Sequence, residues 1–175
     1  TRTPYNAAAR TLRFNSPNLA AVVPQMHDTT SAARYVIVYQ DVRGKYGSEG
    51  DYVMNKPLAG PLNATGTDHA TDCHDTVDWL VKNVPGNNGN VGMAGISYPG
   101  FYTAAGMINA HPALKAASPQ APIANWFVGD DFHHNGALFL PHFFNFISQF
   151  GLPRPGSESR SPVAASTECR PGEST

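Results

Sequence analysis

What the chain lacks narrows it first. Its 175 residues hold only two cysteines, Cys73 and Cys169, too few for a disulfide framework or a thiolate metal cage. They read as two unpaired thiols. No apolar run approaches the ~20 residues of a membrane span. The opening "TRTPYNAAAR" has neither the charged start nor the apolar middle of a signal peptide. A charge excess is missing too: 12 Lys and Arg face 13 Asp and Glu, for a net charge of -1. That balance leaves no electrostatic footprint for nucleic acid or an anionic membrane surface. No internal repeat is visible.

What is there suits one globular domain. A hydrophobic fraction of 41% is enough to build a core at this length. "RYVIVYQD" (34–41) is short, apolar and β-branched, the pattern of a buried strand, and it empties into the glycine-rich loop "VRGKYGSEGDY". Over 67–84, Ala70, Cys73, Val77, Leu80, Val81 and Val84 recur three or four apart on one helical face, with Asp and Thr at the start and Lys82 in the last turn. "PGNNGN" breaks the chain before "VGMAGI" (91–96), a second strand that ends at Ser97. A helix over 98–110 tolerates Pro99 in its first turn, and 113–120 reads as a third strand. Alternating strands and helices of this kind predict an α/β fold with a parallel sheet and right-handed crossovers.

From residue 121 the character changes. "ANWFVGDDFHHNGALFLPHFFNFISQF" is dense in aromatics and carries three histidines, and it reads as an inserted layer with short helical signals rather than as more sheet. After Gly151 the chain turns to Pro, Ser, Gly and Glu. Such a stretch buries too little apolar surface to offset its ordering entropy and reads as disordered.

Ser97 carries the chemistry. A nucleophilic serine needs a tight strand-to-helix turn with small neighbours, and Gly95 and Gly100 flank this one as G-x-S-x-x-G. The bland alternative is a loop serine capping the helix. The strand before and the helix after favour the nucleophile. Free N–H groups at the helix start, the Tyr98 N–H first, can stabilise an oxyanion formed there.

"RTPYN", "QDVRGKYGSEGDY", "DTVDWL", "NVGMAGISYPGF" and "HPALKAASPQAP" carry a resemblance. Over about residues 1–151 the chain resembles the X-prolyl dipeptidyl-peptidase-like acyl esterases, a group that includes cocaine esterase and the α-amino acid ester hydrolases. "GDDF" followed by "HH" is most similar to the last of these. The resemblance implies an α/β-hydrolase fold with a helical cap, and serine-dependent hydrolysis of esters, amides or short peptides through an acyl-enzyme, without a cofactor or metal. It implies that Ser97 is the nucleophile, that Tyr98 gives a backbone oxyanion donor, and that Tyr5 of the "PY" motif gives the second through its hydroxyl. It places Asp131 in a carboxylate cluster for a substrate α-ammonium group; the residues alone let Asp130 and Asp131 equally cap a helix. "RGKYGSEG" reads as a structural loop, and Arg43 and Glu49 are given no chemical role.

The domain reading follows: a partial hydrolase core over 1–120, the beginning of a helical cap over 121–151, and a disordered, frame-shifted or mis-joined tail over 152–175. The triad acid and histidine should follow the serine. His133, His134 and His142 come from the inserted layer and read as unrelated to the triad, His111 reads as a turn residue, and His69 and His74 share no metal-binding face. The chain therefore reads as an internal piece, with three strands expected before residue 1, marginal in stability and inactive alone. Against this stands a non-catalytic α/β module binding a ligand or partner through the Phe-rich layer and Asp130 and Asp131. Compartment stays open, and a homo-oligomer is compatible with the sequence.

Overall fold

The computed structural model describes residues 1–11, 33 and 35–152. The expected tail from residue 153 on, and Arg34 at the start of the first expected strand, lie outside the described residues. The chain runs through β1 (Arg2–Thr3), α1 (Ala7–Thr11), β2 (Gln40–Asp41), α2 (His69–Asn83), β3 (Val91–Ile96), α3 (Tyr98–Gly106), β4 (Leu114–Gln120), β5 (His133–His134), β6 (Ala137–Leu138) and α4 (Leu140–Phe150).

β1 and β2 pair in parallel, and so do β3 and β4, the latter with a register shift between Val91 and Gly92. The two ladders are separate, but the Thr1 hydroxyl donates to the Ala94 carbonyl at 3.0 Å and draws the start of β1 to β3. The parallel α/β expectation therefore holds as two short pairs. The strand expected over 34–41 is a correction. Its ladder is confined to Gln40–Asp41, extended by main-chain bonds from Thr1 to the Val38 carbonyl and from Gln40 to the Thr1 carbonyl. Tyr35 and Val36 are exposed rather than buried, because β1 offers them no pairing partner.

α2 starts where its capping residues say it should. The Asp68 carboxylate accepts from the Thr71 N–H at 2.7 Å, while the Asp68 N–H donates to the Thr71 hydroxyl at 2.8 Å. Its face of Ala70, Cys73 and Val77 is buried, and Cys73 and Val77 join Val42, Met93, Tyr98, Tyr102 and Ala113 in one core cluster. Asp72 is buried on the same helix and is paired. Arg43 donates through Nε to both its oxygens at 3.0 Å, and the Arg2 guanidinium lies 3.8 Å away. Arg43 thus ties the 42–52 loop to α2, the structural role expected of that loop.

α3 ends at Gly106 rather than 110. Met107 and Ile108 already bond three residues back, and Asn109 turns into the left-handed region with φ 49°. The region from 121, expected as an inserted layer with short helical signals, holds a hairpin as well as a helix. β5 and β6 form an antiparallel hairpin whose turn is Asn135-Gly136, with φ 50° and 84°. Only after it does α4 begin, so this region is hairpin then helix.

His69 makes the fold pH-sensitive. Its side chain is buried against α3, with ring centroids 4.8 Å from Tyr102 and 5.8 Å from Phe101, and its Nε2 accepts the Lys56 N–H at 3.2 Å. Burial, then the Arg2 charge, lowers its pKa from 6.5 to about 4, against the pull of Asp72 and Asp68. Above pH 6.5 the ring is neutral in both states and contributes no pH dependence. As pH falls from 6.5 towards 4 the unfolded chain takes up a proton that the folded one refuses, so stability is lost across that window. We expect the unfolding free energy from urea titration to fall between pH 6.5 and 5 with a slope of up to ~1.4 kcal/mol per pH unit. His69→Gln is expected to flatten it, and an equal slope in that variant would contradict the assignment.

Candidate active site

Ser97 stands between β3 and α3 in a backbone conformation that few side chains adopt, with φ 62° and ψ -122°. Such a geometry costs about 1–3 kcal/mol and persists only where neighbours enforce it. Here they do. The Ser97 N–H donates to the Gln120 carbonyl at the end of β4 at 2.9 Å, and the Ser97 carbonyl accepts the Phe101 N–H at 2.9 Å, the first turn of α3. The side chain of Ser97 makes no capping bond to the helix, so the helix-cap alternative is set aside. It is exposed, and among the described residues its hydroxyl has no hydrogen-bond partner.

The flanking glycines have steric reasons. A Cβ on Gly95 would fall on the Pro99 carbonyl, and one on Gly100 would fall on the Gln120 carbonyl. The turn thus brings Gly95 against the first turn of α3, and Gly100 against the end of β4. With Pro at 99, position 100 supplies the second small residue.

Tyr98 is buried at 1% exposure, and its hydroxyl donates to Asn55 Oδ1. Burial first, then the neighbouring Tyr52 and Tyr5, pushes this phenol far above the usual tyrosine range, with the Asn55 bond opposing, so it stays a donor. Tyr5 meets the Tyr98 ring edge-on, with centroids 6.5 Å apart and planes at 82°. The structure therefore brings Tyr5, Tyr98 and Ser97 into one neighbourhood from the "PY" turn and the elbow.

Asp131 is not brought into contact with them. It is exposed in the turn before β5 and has no described interaction with Ser97, Tyr98 or Tyr5. A relay of aromatics lies between: Phe132, buried, stacks on Trp126 at 6.2 Å and meets Phe146 at 5.2 Å, and both of those pack 6.4 Å from Tyr98. Asp130 caps no helix. Its Oδ1 accepts from the Phe132 and His133 N–H groups at 2.7 and 2.8 Å and shapes the hairpin turn.

None of the histidines among the described residues hydrogen-bonds to Ser97. His111 turns its Nε2 to Asp78 at 3.5 Å, and His133 lies 3.9 Å from Asp130. Among the described residues no His, Cys, Asp and Glu cluster is placed to hold a metal ion. The cavity of about 320 Å³ bounded by Arg2, Gln40, Arg43, Glu49, Asp72 and Trp79 does not include Ser97. The sequence reading missed Gln120 and Asn55. Gln120 acts through its carbonyl, which every residue has, and Asn55 is one loop asparagine among several.

Because Ser97 is strained while its neighbours hold it, glycine there should relieve the chain. Ser97→Gly is expected to be more stable than Ser97→Ala by about 1 kcal/mol, the backbone relief less the ~0.4–1 kcal/mol of added unfolded-state freedom. Equal urea midpoints for the two variants would remove the strain from the account.

The sequence profile of the X-Pro dipeptidyl-peptidase (S15 family) matches residues 1–168. Cocaine esterase of Rhodococcus sp. (strain MB1 Bresler) is 31% identical over 117 residues, 67% of this chain and 18% of that one. An α-amino acid ester hydrolase superposes with a TM-score of 0.82 at 49% identity, over 87% of this chain and 25% of that one. An aminopeptidase from the marine sediment archaeon Thaumarchaeota archaeon does so with 0.76 at 66% identity, over 79% and 23%. The chain spans a quarter or less of the length of these relatives. The likeness establishes the fold as part of an α/β hydrolase. From the profile match over nearly its whole length, the chain belongs to the X-Pro dipeptidyl-peptidase (S15) family.

Proposed function

We propose that this chain carries the nucleophile of a serine hydrolase that cleaves ester or amide bonds through an acyl-enzyme on Ser97. The observation that carries the reading is the elbow: a non-glycine residue at φ 62°, exposed, with its hydroxyl capping nothing. A serine held at such a cost without a structural task is poised for chemistry. Its Oγ attacks the substrate carbonyl carbon as its proton passes to a base, and the carbonyl oxygen becomes an oxyanion. The Tyr98 main-chain N–H and the Tyr5 hydroxyl are its donors. Collapse of the intermediate breaks the bond to the leaving alcohol or amine, which takes the proton, and water then releases the acid from Ser97.

None of the described histidines bonds to Ser97, so we assign none of them as the base. The names of the related proteins support esters and amino-terminal peptides as the substrate classes. Within them we favour α-amino acid esters, with Asp131 holding the ammonium group. Its exposure leaves it free to meet a substrate.

Two measurements on the whole polypeptide that carries this chain test the reading. Ser97→Ala is expected to lower kcat for phenylglycine methyl ester by about 10⁴-fold or more; a rate near the parent's would contradict the nucleophile. The parent should prefer that ester to its des-amino analogue, a preference that Asp131→Asn removes. Equal rates on the two esters would take Asp131 out of the site.

A further inference from the structure

Tyr98 is held from a side that no motif announces. Its hydroxyl donates to Asn55 Oδ1, from a loop 43 residues earlier in the chain. Asn55 sits in the left-handed region with φ 54°, a conformation that Asn and Asp tolerate better than most side chains. The next residue is fixed as well. The Lys56 N–H donates to His69 Nε2 at 3.2 Å, and His69 lies edge-on to Tyr102 and Phe101 of α3. The Asn55 loop is thus braced on the same helix whose first residue is Tyr98. On another side, the Tyr98 ring receives the edge of Tyr5. This hydrogen bond therefore fixes the hydroxyl end of the ring that lies between both oxyanion donors assigned above.

We propose that Asn55 is a positioning residue for the oxyanion site. Acting through the Tyr98 hydroxyl, it holds the Tyr98 peptide N–H and the Tyr5 ring where the tetrahedral intermediate on Ser97 needs them. The proposal rests on the serine hydrolase reading and assigns Asn55 no contact with substrate. Oxyanion donors act by being placed before the charge develops, so a loosened donor costs rate in the chemical step rather than substrate affinity.

The test uses the whole polypeptide that carries this chain. Asn55→Gly keeps the left-handed backbone and removes the acceptor, Asn55→Asp keeps both, and Tyr98→Phe removes the donor. Asn55→Gly and Tyr98→Phe are each expected to slow kcat and fluorophosphonate labelling by about tenfold at unchanged KM. The double variant should be no slower than either single one, since both cut the same bond. Asn55→Asp should keep the parent rate. A parent-like rate in Asn55→Gly, or a double variant slowed by the product of the two effects, overturns the proposal. Should Asn55→Gly fail to fold, Tyr98→Phe decides, and a parent-like rate there overturns it. Failure of the underlying reading looks different: Ser97→Ala would still turn over. Amide hydrogen exchange at 97–98, which needs no activity, then decides. Faster exchange in Asn55→Gly supports the anchor, and unchanged exchange overturns it.

Discussion

The backbone of Ser97 is the constraint on which the arrangement depends. A serine at φ 62° and ψ -122° relaxes unless both of its sides are fixed. β4 fixes one side through the Gln120 carbonyl, and α3 fixes the other through the Phe101 N–H. For β4 and α3 to come that close, positions 95 and 100 must carry no side chain, which is why two glycines bracket the serine. Sequence, sterics and site are linked here by contacts of a few atoms. The β3–β4 pair, with α3 packed on it, is the part of the molecule that the elbow needs.

Around that elbow the weight falls on Tyr98. Its ring is buried among Tyr102, Phe101, Tyr5, Trp126 and Phe146, so the core, the "PY" turn and the Phe-rich region meet on one side chain. Aromatic contacts of this kind add about 0.5–1.5 kcal/mol each beyond burial, enough together to hold the start of α3. Function then follows from position. In the function proposed above, the residue after the serine is the one whose N–H serves the reaction, and its side chain is where the distant segments meet. The buried Asp72 pair with Arg43 and Arg2 does a different job on the far side of α2, closing the 42–52 loop without touching the serine.

How much of this the sequence showed depends on how local the cause was. β3 and α2 were legible nearly to the residue, because apolar periodicity and a capping Asp68 are written within a few positions. The strand-to-helix turn at Ser97 was legible because glycines on either side narrow the turn types available. The strand at 34–41 was over-read: an apolar β-branched run makes a strand only where a partner pairs with it, and β1 reaches only part of the run. The hairpin at 133–138 was under-read although Asn135-Gly136 is a strong turn signal, since the surrounding phenylalanines suggested a helical layer. Asn55, Gln120 and the Asp72–Arg43 pair join residues 43, 23 and 29 positions apart, and no spacing rule reaches that far.

The most direct test of the central claim is to find which atom the chemistry modifies. The whole polypeptide that carries this chain is treated briefly with a fluorophosphonate, digested with trypsin, and the adduct is located by tandem mass spectrometry. The account predicts the added mass in the peptide covering 83–115, on Ser97 and on no other residue, with none in Ser97→Ala. An adduct on a different serine, or one that survives that substitution, would contradict it.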